Sequence, residues 1–457
     1  LKGENKIMEF EIGCNIILRN LKPETEHAVM GRLTMPNPKY DEAVKMDRWT
    51  GNLEPYLRFY EQTGTGLACP RGAARQVYEL CRRHGEEIRF IDNRRTLDLV
   101  DFQFRGSLRP FQQTAVNSCL KHEFGILSAP TGSGKTVMAA YMIAQRKQPV
   151  LIVVHTKELL NQWRERVKQF LGIKAGLIGG GKMEIRPVTV ATVQTLVKHA
   201  ENTAPHFGYL IADECHRAPA MQYVKAIEAF DCQYMTGLSA TPYRRDGLSK
   251  VILWHIGDVA AKIDKAELVG TGDLCQAGVV WIETDFSTAT DATEYYSKAL
   301  SELAEDEPRN RLIARTVAEN NGHGISLLLS DRKAHCHALA EILEAQHGIK
   351  AVVLTGATGT RGRERILDDL HQGRCRYLIA TGQLIGEGFD LPGISSMFLA
   401  TPVKYHGRLI QYIGRALRPA PGKDKAVIYD FVDARNPVFA ASAKSRAYTY
   451  ERQGIEE

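Results

Sequence analysis

The sequence predicts an α/β protein, with two tandem parallel-sheet domains preceded by a smaller N-terminal α/β unit. Three observations predict this. Short β-branched runs alternate with helical stretches from about residue 108 onward. The runs fall into two groups with a separator between them. The residues before them have a different pattern. Strands alternating with helices read as βαβ units, whose sheets are covered on both faces. The implied divisions are 1–105, 106–257 and 258–457.

In the N-terminal unit, Glu9–Leu18 alternates like one strand, and Pro36, Pro38 and Gly51 punctuate the stretch after it. Ala73–His84 then reads as a helix. It has Ala73, Val77, Leu80 and Cys81 on one face, with Arg71, Arg75 and Arg82 roughly on another. The first group of strands comprises Phe124–Ser128, Val150–Val154, Val188–Ala191, Tyr209–Ala212 and Tyr234–Leu238. The separator begins near Gly257, turns at 270–273 and continues as a helix over Thr293–Asn320. The second group comprises Ile325–Leu329, Val352–Leu354, Tyr377–Ala380, Met397–Ala400 and Val427–Phe431.

Composition sets outer bounds. The 457 residues are 44% hydrophobic and 25% charged, as in ordinary globular chains, which excludes disorder over most of the length. A net charge of +6 permits a polyanionic partner without requiring one. No apolar run approaches the roughly 18 residues of a membrane helix. The stretch Leu1–Met8 has no apolar signal core. The nine cysteines are odd in number and form no CxxC pair. This speaks against a disulfide framework or zinc ribbon and favours a reducing, intracellular compartment. His335-Cys336-His337 has ligand-type residues, but neighbours on a helix point apart.

The strongest chemical signal is Ala129-Pro130-Thr131-Gly132-Ser133-Gly134-Lys135-Thr136, between the strand Phe124–Ser128 and a helical stretch, Val137–Ala144. Strand, loop and helix in that order make a phosphate-binding loop. Gly132 and Gly134 allow backbone N–H groups to turn toward the phosphates, at the positive end of the helix. Lys135 supplies a point charge for the β- and γ-phosphates, and the Thr136 hydroxyl is a ligand for Mg²⁺. Thr131 and Ser133 complete the loop. Further along, the strand Tyr209–Ala212 runs into Asp213-Glu214-Cys215-His216. Paired carboxylates at a strand's C-terminal end suit metal holding by Asp213 and water activation by Glu214.

These residues resemble the nucleic-acid-dependent ATPases of helicase superfamily 2, in the DExH group. Other segments, spanning about 108–433, keep the family's order. Leu108-Arg109-Pro110-Phe111-Gln112 looks like its adenine-reading segment, which puts Arg109 and Gln112 at the nucleotide. Ser239-Ala240-Thr241 looks like its coupling motif, and the resemblance adds His216 and Gln411 to the coupling set. The segment from Thr381 to Gly386-Glu387-Gly388-Phe389-Asp390 looks like the fifth motif. This places Thr381 on nucleic acid, with Gly388 and Asp390 near the nucleotide. Gln411-Tyr412-Ile413-Gly414-Arg415-Ala416-Leu417-Arg418 looks like the sixth. Gln411, Arg415 and Arg418 recur at helical spacing, so they share a face. The resemblance makes Arg415 and Arg418 arginine fingers on the γ-phosphate. It also places His155, Thr156, Thr192 and Arg244 along a nucleic-acid strand.

The resemblance therefore implies two RecA-like domains, ATP and Mg²⁺ as cofactors, and an ATP-driven helicase or translocase. DNA is favoured over RNA, with movement 3′ to 5′, in repair, recombination, phage or defence processes. The stretch Thr241–Gly247 is similar to that of the XPB, UvsW and translocating restriction group, but Arg245 stands where XPB carries an acid. Two other readings stand beside this one. One is a duplex translocase of the restriction type, which would need a nuclease or methyltransferase partner. The other is an ATPase switch without unwinding. For residues 1–105 the functional reading is a nucleic-acid grip through Arg71, Arg75, Arg82 and Arg83, and the plainer one is a packing domain.

Overall fold

The computed structural model describes residues 7–215, 220–240, 248–320, 324–382, 393–403, 406–417, 423 and 425–455. The chain divides into two compact units, with the main boundary between Ile263 and Asp264.

The first unit opens with strands β1 (Met8–Ile12), β2 (Asn15–Arg19), β3 (Thr34–Pro36), β4 (Tyr56–Arg58), β5 (Glu61–Thr63), β6 (Gly66–Pro70) and β7 (Ile88–Asp92). Five of them form a sheet in the order β5-β6-β2-β1-β7, and β3 pairs with β4. Glu9–Leu18 is therefore a hairpin rather than the single strand expected. Ile12 faces Ile16 across the turn. Met8, Phe10 and Ile12 are buried before the turn and Ile16 and Leu18 after it. The period-2 pattern passes through the turn in phase, so alternation alone does not reveal it.

The helix Ala74–Arg83 forms close to expectation and buries Val77 and Cys81. Arg71 is a correction. It is only 3% exposed. Its guanidinium donates to the Cys232 carbonyl at 2.9 Å and lies 5.1 Å over the Phe124 ring. It therefore packs the N-terminal sheet onto the neighbouring one and does not face a phosphate. Arg75, Arg82 and Arg83 are exposed, and Arg75 pairs with Glu79. Gly72 sits against the backbone of His255–Gly257, where an added Cβ would lie 2.5–2.7 Å from backbone atoms. Val224, Val251 and Trp254 join the N-terminal core. Arg95 clasps Asp231 with two bonds of 2.9 Å.

The same unit continues with β8 (Phe124–Ser128), β9 (Val150–Val154), β10 (Gly176–Gly179), β11 (Lys182–Glu184), β12 (Val188–Thr192), β13 (Tyr209–Ala212), β14 (Tyr234–Ser239) and β15 (Val259–Lys262). Their order is β11-β10-β12-β9-β13-β14-β8-β15. Every pairing is parallel except that of β10 with β11. β9, β12 and β13 are buried at every residue, as expected of strands covered on both faces.

The second unit carries β16 (Gln276–Glu283), β17 (Ile325–Ser330), β18 (Val352–Leu354), β19 (Tyr377–Thr381), β20 (Ile394–Leu399) and β21 (Lys425–Val432). These form an all-parallel sheet in the order β16-β21-β20-β17-β19-β18. The expected separator also contributes to both sheets: β15 extends the first and β16 the second. The expected helix Thr293–Asn320 is two helices, Tyr296–Glu305 and Glu307–Glu319. They break at Asp306, whose side chain caps the second by accepting from Arg309 N at 2.9 Å. Pro308, lacking an N–H, suits a helix's first turn. His335 is buried, with its ring bonded to Ser330 and Asn310.

Two buried ion pairs stand out among the described residues of this unit, Arg309–Asp433 and Arg446–Asp430. Arg309 and Asp433 meet at 2.7 Å with side chains 1% and 0% exposed, and Arg309 also donates to the Ala400 carbonyl. Removing one partner strands a buried charge, at a cost of about 3–5 kcal/mol. Arg309→Ala should therefore advance a urea unfolding transition by that amount. An unchanged midpoint would make the pair dispensable.

Candidate functional site

The site grows from the C-terminal edge of the first parallel sheet. β8 ends in the phosphate loop, whose first residue is pinned to a neighbour: Ala129 N donates to the Ser239 carbonyl of β14 at 2.9 Å. Gly132 and Gly134 have φ of 92° and 85°, in the left-handed region. Gly134 starts the helix Lys135–Arg146. A Cβ there would lie 2.4 Å from Gln112 Nε2, so the absent side chain is what lets the Gln112 amide approach the loop. The Gln112 Oε1 accepts from Arg109 N at 2.9 Å, which closes the start of the helix Pro110–Leu120. Arg109, Gln112 and the phosphate loop are thus neighbours.

Lys135 Nζ donates to the loop's own carbonyls, Ala129 at 3.0 Å and Pro130 at 3.3 Å. β13 runs into Asp213, whose N–H bonds to Val153 of β9, while Cys215 N bonds to Leu238 of β14. The acidic pair is therefore laced to strands on both sides. Glu214 has φ of 47°, a conformation costly for a residue with a Cβ and common at functional sites. Burial, then the Glu214 charge, push the Asp213 carboxyl up to about 6, against the pull of the Trp163 indole and the Lys135 charge. A buried carboxylate raised by a second carboxylate is a natural seat for a cation. With the Thr136 hydroxyl it offers hard oxygen ligands, which suit Mg²⁺.

The nucleic-acid candidates of this unit lie on the same sheet edge. His155 and Thr156 come directly after β9, and Thr156 caps the helix Lys157–Leu171 by accepting from Leu159 N at 3.2 Å. Thr192 ends β12, is 6% exposed, and bonds through its hydroxyl to Thr195. In the second unit Thr381 ends β19 in register with Ser330. His216, Thr241, Arg244, Gly388, Asp390 and Arg418 lie outside the described residues. Gln411 and Arg415 belong to the helix His406–Ala416, but their side chains lie outside the description.

Sequence reasoning missed Trp163. Its indole Nε1 donates to Asp213 Oδ2 at 2.7 Å, and the ring is 2% exposed. The only hint in the sequence is an aromatic donor on the buried face of an amphipathic helix. Nothing local ties it to a carboxylate fifty positions away.

A phosphate loop and acidic pair on one parallel sheet, with a second parallel sheet later in the chain, is the construction of a helicase-type ATPase. The comparisons agree. The family described as Type III restriction enzyme, res subunit, matches residues 105–244, and that described as helicase conserved C-terminal domain matches 309–420. The chain is 26% identical over 378 residues to the DNA 3′-5′ translocase XPB2 of Sulfurisphaera tokodaii, covering 74% of this chain and 84% of that one. It is 27% identical over 347 residues to a probable helicase, D10, of Escherichia phage T5, covering 72% of each. Among solved structures, S. cerevisiae Dbp5 bound to RNA and ADP BeF3 aligns with a TM-score of 0.52 at 18% identity. That alignment covers 76% of this chain and 88% of that one and shows the fold alone. These matches support a helicase of superfamily 2, similar to the XPB-like group, and with it a nucleic-acid-dependent ATPase of the helicase/translocase class. No helix among the described residues is long and apolar enough to cross a membrane.

Proposed function

We propose that the chain is an ATP-driven motor on DNA, moving 3′ to 5′. The observation that carries this is a shared sheet edge. The phosphate loop, the acidic pair and the strand-end groups His155, Thr156 and Thr192 all project from the C-terminal ends of β8, β9, β12 and β13. The acidic pair after β13 is then one strand from His155 and Thr156 and two from Thr192, on the edge that also carries the phosphate loop. Similarity to a DNA 3′-5′ translocase favours DNA.

In this reading Lys135 and the loop N–H groups bind the β- and γ-phosphates, and Gln112 and Arg109 read the base. Thr136 and Asp213 hold Mg²⁺, which when bound neutralises phosphate charge. Glu214 orients the attacking water and takes its proton. Ser239 couples this site to the strand, as do His216, Thr241 and Gln411. Arg415 and Arg418 act as arginine fingers by resemblance, with Gly388 and Asp390 at the nucleotide. Hydroxyls and a helix N-terminus read backbone and not sequence, so the strand sites carry little base preference. In the N-terminal unit, Arg75, Arg82 and Arg83 remain as an exposed basic face for the same polyanion.

The test is an ATPase screen over single-stranded, duplex, forked and four-way DNA, RNA and hybrids. Turnover should rise on DNA and the stimulation should fall steeply with salt. Stimulation by RNA alone would overturn the DNA assignment, and none by any polymer would favour the switch reading. The restriction-type match over 105–244 supports a second reading, a duplex translocase without strand separation. Displacing a triplex strand while failing to open a fork would select it.

A further inference from the structure

The phosphate loop and the acidic pair have assigned roles, but the bond between Trp163 and Asp213 has none. We propose that Trp163 is a positioning residue that links the nucleic-acid strand site to the metal-site carboxylate. This rests on the reading of Asp213 as the metal carboxylate and of Thr156 as a strand contact.

The geometry is continuous. The helix Lys157–Leu171 starts at its cap Thr156, directly after β9. Its first-turn N–H groups form the positive end that a backbone phosphate would meet. Leu160, Trp163, Val167 and Leu171 form its buried stripe. Trp163 lies seven residues beyond the cap, about 10 Å along the helix axis. There its N–H donates to Asp213 Oδ2, while Oδ1 accepts from Glu214 N at 2.9 Å. The carboxylate is thus held by one donor from its own strand end and one from the strand-facing helix. Helices move as rigid bodies, so a small shift at Thr156 arrives at Trp163 undiminished. The indole then re-aims the carboxylate. Direct contact through Lys135 cannot do this, because Lys135 belongs to the helix after β8.

Trp163→Phe keeps most of the ring and removes the donor. Expected is a loss of about tenfold in the ratio of nucleic-acid-stimulated to basal kcat, the size of one charge-assisted hydrogen bond. KM for ATP and the dissociation constant for single-stranded DNA should stay within about twofold, since neither ligand touches the indole. A purely structural role would scale basal and stimulated kcat together. That result, or an unchanged ratio, overturns the proposal. Asp213→Asn in the same assay separates the premises. Loss of both basal and stimulated turnover supports the carboxylate reading, and wild-type turnover removes it and the proposal with it. In the unmutated chain, isotope-labelled on tryptophan nitrogen, the Trp163 indole N–H resonance should shift when single-stranded DNA is added without nucleotide. A resonance unmoved at saturation overturns the link even if Trp163→Phe fails to fold.

Discussion

Lys135→Ala should abolish ATP turnover while leaving the fold and nucleotide-free DNA binding intact. Among the described residues the amine donates to carbonyls of its own loop, Ala129 and Pro130, in a partly exposed position. Losing it therefore opens no cavity. What is lost is the charge that meets the developing negative charge on the transferred phosphoryl group. Removing one such electrostatic partner costs about 10²–10³-fold in rate. The ATP affinity should fall as well, because Lys135 also faces the ground-state phosphates. A thermal midpoint like that of the parent, with turnover below a hundredth of it, is the expected pair of results. Parental turnover would remove the phosphate-loop assignment on which the other site roles depend.

Glu214→Gln should separate binding from chemistry. Glutamine keeps the shape and tolerates the same backbone, but it cannot take a proton. Loss of a general base costs about 10²–10⁴-fold. KM for ATP should change little, since Glu214 acts on water and not on the triphosphate. Single-turnover measurements on bound ATP read the chemical step directly. If that step runs at the parental rate in Glu214→Gln, another group activates water. Glu214→Ala should lose the same chemistry, because it too removes the carboxylate that takes the proton.

Much of this site was legible in the sequence, for a reason particular to such motifs. The phosphate loop works through backbone N–H groups, and backbone shape is set by local residues. Gly132, Gly134 and the strand before them are therefore sufficient signals. The strands were legible because both faces are covered: Val150–Val154 and Tyr209–Ala212 read as unbroken apolar runs and are fully buried. Where a pattern passes in phase through a turn, as from Ile12 to Ile16, it hid the hairpin. Where a cap interrupts a helical stretch, as at Asp306, periodicity alone ran past it.

The sequence by itself determined the phosphate-loop backbone, the strands of both sheets in outline and the order of the motifs, because each depends on neighbours along the chain. Tertiary structure alone decided which charged and polar groups face solvent and which face one another. Arg71 sits on a helical face that reads as basic surface, yet it is buried against Cys232, two residues before β14. Trp163 reads as core packing, yet it donates to the Asp213 carboxylate. Both outcomes depend on contacts between segments far apart in sequence. No local period encodes such contacts; only the parallel order of the strands brings those partners together.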